Sequence, residues 1–112
     1  MIFKFLRRPV LLVPLAVAAL VVACAGTLPR PTENNVEKVA TRWPGTTRAD
    51  LERGRDLYMN RCSSCHALIP PGRYPESKWH DMLGEMAPRA KLGSEDRDVV
   101  YRYLVSFARQ GS

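Results

Sequence analysis

The sequence predicts a small all-α domain built on three main helices. Apolar residues recur at helical spacing in two separate stretches, 51–58 and 99–107. Each stretch is preceded by residues that start helices, Thr47 to Asp50 in one case and Ser94 to Asp98 in the other. A Pro-rich loop, residues 69–75, separates the first of these helices from the later ones.

The first main helix opens on Thr47-Arg48-Ala49-Asp50, which resembles a capping box with Asp in place of Glu. Leu51, Gly54, Leu57 and Tyr58 then follow at helical spacing, and the helix runs on to Cys62. Glycine inside a helix costs about 1 kcal/mol against alanine. Gly54 therefore predicts the close approach of another element. A second helix is expected over about 76–86, with Ser77 as its cap and Pro88 as its stop. The last helix starts at Ser94, read as the N-cap, with Glu95, Asp96 and Asp98 near its positive dipole end. Its apolar stripe is Val99, Val100, Tyr103, Leu104 and Phe107.

Three cations, Lys4, Arg7 and Arg8, precede an uncharged apolar stretch over residues 9–23. This is the pattern of an export signal, and it is short for a membrane span, which needs about 20 apolar residues. An uncleaved N-terminal anchor is the competing reading. The run Leu20-Val21-Val22-Ala23-Cys24 resembles the bacterial lipobox, with Val21 where Leu is commoner. That resemblance implies cleavage after Ala23, lipidation of Cys24 and attachment to a membrane by several acyl chains. Ala25 follows rather than Asp, which by the same resemblance favours the periplasmic face of an outer membrane in a Gram-negative host.

The expected organisation is then a signal peptide over 1–23, a lipidated tether over 24–46 and a domain over 47–112. The tether reading rests on Gly26, Pro29, Pro31, Pro44, Gly45 and the pair Asn34-Asn35. A short helix over 35–42 is the alternative. A flexible tether of that length reaches roughly 25 Å, at about 5–6 Å × √n.

The chain carries 17 Lys and Arg against 11 Asp and Glu, and three of those cations lie in the signal. The remaining excess is small, and no basic stripe interleaves with aromatics. Composition therefore excludes nucleic acid as the expected partner.

The chemistry-bearing motif is Cys62-Ser63-Ser64-Cys65-His66. C-x-x-C-H is the attachment run of c-type haem, in which each thiol adds to a vinyl group and the histidine ligates the iron. Two intervening residues set the sulfurs about one helical turn apart. A dithiol redox pair needs a βαβ setting not found here, and a zinc site usually wants four ligands. Cysteine usage is consistent with haem. Of three cysteines, Cys24 takes lipid while Cys62 and Cys65 take one covalent haem, leaving no thiol unassigned in an oxidising compartment.

A Gly-x-x-x-Tyr helix ending in C-x-x-C-H, a proline loop, a methionine and a terminal Tyr-Leu helix resemble a small monohaem class I c-type cytochrome, in a bacterial lipoprotein form. The matching positions are Gly54, Tyr58, Cys62, Cys65, His66, Pro70 or Pro71, Met86, Tyr103 and Leu104. The resemblance implies three helices around one covalent haem, Gly54 against Tyr103 where the first and last helices cross, and His66 as proximal iron ligand. It also implies a methionine thioether as distal ligand. Met82 and Met86 share a helical face with Trp79 and Leu83. Met86 is preferred, seven residues after Trp79, with Met82 as the alternative. His80 is off that face and is expected in solvent. Arg73 and Lys91 are candidate partners for haem propionates.

The function implied is one-electron transfer between protein redox partners at a membrane, as a carrier or as the haem subunit of a larger complex. No enzymatic role and no small-molecule substrate are expected. A haem-based gas or redox sensor with an open sixth iron position is the other class.

Overall fold

A computed structural model describes residues 28–63 and 67–111. Among them lie four α-helices, α1 (Glu33–Ala40), α2 (Arg48–Cys62), α3 (Glu76–Arg89) and α4 (Ser94–Phe107), with a 3₁₀ turn at Pro71–Arg73. The all-α expectation holds.

Helix α2 starts as the capping box predicts. The Asp50 N–H donates to Thr47 Oγ1 at 3.1 Å, and the Thr47 N–H donates to Asp50 Oδ2 at 2.9 Å. α2 and α4 form the most extensive helix contact in the fold. Gly54 is the reason they pack so closely. A Cβ there would stand 2.7 Å from the Val99 carbonyl carbon and 3.0 Å from Tyr103 Cβ, and nearer still to the Val99 carbonyl oxygen. The crossing buries Leu51, Val100, Tyr103 and Leu104 almost completely.

Helix α3 differs from its expected bounds. Pro75, not Ser77, is its N-cap, and the helix runs through Pro88 to Arg89. Pro88 lies in the last turn, where proline removes a single N–H and the helix reaches its C-cap two residues on. The true stop is Lys91 at φ 56°. The Leu92 N–H reaches the Ala87 carbonyl at 2.9 Å and the Lys91 N–H reaches that of Pro88 at 3.2 Å, a Schellman closure. Similarly, α4 is capped by Gly93, and Ser94 is already its first helical residue.

The tether reading of 24–46 is corrected over its described part. Residues 33–40 form α1, which packs on α4 and α2 and buries Val39 and Asn35. Asn35 Nδ2 donates to the Ser106 carbonyl at 3.0 Å while its Oδ1 accepts from the Thr32 N–H at 2.8 Å. Beyond α1, Trp43 meets Tyr101 edge-on at 5.7 Å, with the Arg42 guanidinium 4.6 Å from the Trp43 ring centre. Arg42 also pairs with Glu76, which accepts from the Tyr101 hydroxyl at 2.8 Å. Polar and aromatic ties thus hold the segment together with the buried Val39. The expected signal over 1–23, and Cys24 with it, lie outside the described residues.

Candidate haem site

The end of α2, the segment at Ile69, helix α3 and helix α4 enclose an apolar crevice. Its walls are Tyr58, Cys62, Ile69, Trp79, Met82, Leu83, Met86 and Leu104. Helical spacing on α3 puts Trp79, Met82, Leu83 and Met86 on one face, as the sequence predicts. Trp79 and Leu83 are buried, while Met82 and Met86 are half-buried at the edge.

Two tyrosine and tryptophan contacts set this geometry. The Tyr58 hydroxyl donates to the Ile69 carbonyl at 2.7 Å and accepts from the Ile69 N–H at 3.2 Å. It thereby clamps the chain just beyond the C-x-x-C-H run onto α2. Burial pushes the Tyr58 phenol up to about 12. The Trp79 indole N–H donates to the Pro71 carbonyl at 2.8 Å, which fixes the proline loop against α3. Tyr58 and Trp79 meet edge-on at 6.1 Å, and Tyr74 closes on Trp79 from the loop side at 5.5 Å.

Residues and group fit in chemistry. Cys62 supplies a sulfur at the crevice wall, Met82 and Met86 supply thioethers, and the other walls are apolar or aromatic. The free volume is about 30 Å³, close to one water's share of the liquid. A porphyrin held here would need wall side chains to give way, and the unbranched methionines would be the ones best able to move. Cys65 and His66 lie outside the described residues. His80 stands in solvent, with 66% of its side chain exposed, and is not a wall of the crevice. Arg73 and Lys91 are exposed and do not line it either.

Residues 58–112 match the family model of dihaem cytochrome c. That match supports a c-type cytochrome. It starts at Tyr58, takes in the whole C-x-x-C-H run and both methionines, and continues through α4. The family's description names two haems where the sequence reading expects one. The chain holds a single C-x-x-C-H run, with one cysteine outside it. No curated protein and no solved structure matches the chain.

Sequence reasoning missed Arg55 and Ile69. Arg55 is 6% exposed, and its Nε and Nη2 donate to the Leu28 carbonyl at 3.2 and 3.1 Å. Its position was a signal, since it falls between Leu51 and Tyr58 at i+4 and i−3 on the buried side of α2. A charge on such a face needs acceptors. Ile69 carried no comparable signal, because the groups that bond the Tyr58 hydroxyl are its backbone N–H and carbonyl, which almost any residue carries.

Proposed function

We propose that this protein is a lipid-anchored, monohaem c-type cytochrome that passes single electrons between redox partners at a membrane, on its own or as the haem subunit of a larger complex. The observation that carries the reading is the crevice, where Cys62 of the attachment run shares apolar walls with two methionine thioethers. Cys62 and Cys65 bond the haem covalently, and His66 takes the proximal face. Met86 takes the distal face, with Met82 as the alternative. Bound there, the haem supplies a ferrous–ferric couple. The chain's own residues exclude water and hold the haem's edges. Leu83, Leu104 and Trp79 make the pocket apolar, and the Tyr58–Ile69 clamp keeps the motif's following segment seated. A thioether ligand and a low-polarity pocket both favour the ferrous form and raise the potential.

Attachment through Cys24 is supported by its lipobox-like setting, and the domain is read as exported and facing the periplasm. Among the described residues no helix is long and apolar enough to cross a membrane. The deciding experiment is an absorption spectrum of protein matured with haem-attachment machinery, oxidised and reduced, with and without carbon monoxide. A carrier shows a six-coordinate reduced spectrum that carbon monoxide leaves unchanged. Ready binding of carbon monoxide gives the sensor reading instead. A colourless protein ends both.

A further inference from the structure

We propose that residues 28–31 form a strap that fixes the haem domain against the bilayer, with the strap-bearing side of α2 and α4 turned to the lipid. This rests on the reading that Cys24 is lipidated. The strap is held at successive carbonyls by two buried side chains from different helices. Arg55 of α2 donates twice to the Leu28 carbonyl. Tyr103 of α4, fully buried, donates its hydroxyl to the Pro29 carbonyl at 2.8 Å. Pro31 is buried, Leu28 packs against the core, and Asn35 ties the next turn to Ser106. The chain is therefore part of the domain from Leu28 onward.

Three residues lie between Cys24 and Leu28, so four Cα-to-Cα steps join them. Fully extended they reach at most about 14 Å, at about 3.6 Å per residue. The roughly 25 Å of a flexible 22-residue tether is not available. The strap also sets the distance from membrane to redox site. Arg55 and Cys62 are both on α2, seven residues and so about 10 Å apart along its axis. The attachment cysteine is thus kept within a few tens of Å of the lipid, the two lengths combined with the reach of the Arg55 side chain to the Leu28 carbonyl. Arg30, exposed between two prolines of the strap, presents a cation to anionic headgroups. A partner able to exchange electrons with a domain so held brings its own redox centre to the membrane surface, as a membrane-bound protein does.

The test uses the full-length, haem-loaded, lipidated protein in phosphatidylethanolamine–phosphatidylglycerol vesicles that carry a headgroup-labelled fluorescent lipid. Haem quenches the label by energy transfer, steeply with distance. The wild type is compared with an insertion of about 20 Gly and Ser residues after Gly26, which lengthens the tether to roughly 27 Å r.m.s.. Wild-type quenching is expected to be several-fold stronger than in the insertion. Tyr103→Phe, which removes only the hydroxyl, and the pair Arg55→Met with Tyr103→Phe should fall progressively toward the insertion while keeping the haem spectrum. Equal quenching in wild type and insertion overturns the strap, as does a strap pair that quenches like wild type. Cys24→Ser keeps the two readings apart. Loss of vesicle binding upholds the anchor, whatever the quenching shows. Wild-type-like binding by Cys24→Ser removes the anchor and the strap's role with it.

Discussion

Replacing Gly54 with alanine sets two effects of opposite sign against each other, and the packing at the helix crossing decides the outcome. Helix propensity alone favours alanine by about 1 kcal/mol. At this position the new methyl would stand 2.7 Å from the Val99 carbonyl carbon, with the Val99 oxygen closer, and 3.0 Å from Tyr103 Cβ. Backbone cannot step aside as a flexible side chain can. α4 must retreat, and it carries Tyr103, which fills the core, and Leu104, which also lines the crevice. Overpacking of this kind typically costs about 1–3 kcal/mol, and contact with backbone puts this site at the upper end. The net expectation is a loss of about 1–2 kcal/mol, a fall in Tm of several degrees at about 4–8 °C per kcal/mol for a domain this size. Gly84→Ala is the matched control. Gly84 is exposed in the middle of α3, and a Cβ there meets nothing closer than the Arg97 guanidinium at 3.8 Å. It should gain about 0.5–1 kcal/mol. Thermal unfolding of the two haem-loaded variants reads both signs at once. A Gly54→Ala protein as stable as Gly84→Ala would refute the close crossing.

Three further outcomes follow from side chains already described. Met86→Leu should abolish the sulfur-to-iron charge-transfer band and open the reduced haem to carbon monoxide, while Met82→Leu should leave the band near wild-type intensity; the reverse result moves the ligand to Met82. Burial acts to raise the Glu76 carboxyl, but hydrogen bonds from Arg42 and Tyr101 outweigh it and hold it below its ordinary 4.5, so its stabilising effect is present above pH 4.5 and fades as pH falls through the lower folded value. Amide exchange in α1 should speed up in that acid window, and Glu76→Gln should blunt the change. Burial pushes the Tyr58 and Tyr103 phenols up to about 12 from an ordinary 10, so the folded protein holds those protons more tightly. Their contribution is complete below pH 10 and is lost as pH rises toward about 12, which urea midpoints across that range would record.

The parts of the fold legible in the sequence were those set by local chemistry. Thr47 and Asp50 cap α2 because their side chains reach backbone three residues away, a relation wholly contained in the sequence. The stripe Val99, Val100, Tyr103 and Leu104 is buried because helical periodicity alone aligns it. Gly54 signalled a close neighbour, though it took the structure to show that the Val99 carbonyl, more than Tyr103, is what it makes room for. The misread parts depend on distant partners. α1 shows few apolar residues, and Asn35 is buried because the Ser106 carbonyl, 71 positions away, accepts its amide. Pro88 read as a stop, yet a proline in the last turn forfeits only one bond, and Lys91 in the left-handed region ends the helix instead. The crevice followed the same division. Spacing brought Trp79, Met82, Leu83 and Met86 to one face, whereas Ile69 and the Arg55 tie arise from contacts across the fold.

The number of haems can be argued from sulfur alone. Attachment through two thioethers uses two cysteines per haem, and the chain has three. Cys62 and Cys65 belong to the attachment run, so Cys24 is the one cysteine left, and no second C-x-x-C-H run surrounds it. A second haem attached in the same way has no pair of thiols to use in this sequence. The matching family's description names two haems, whereas this sequence offers one such pair of thiols. Mass spectrometry of the denatured, matured protein should therefore find one covalently retained haem per chain, and Cys62→Ala should leave at most one thioether. A retained mass of two haems on a single chain would refute the count, and with it the assignment of Cys24 to lipid.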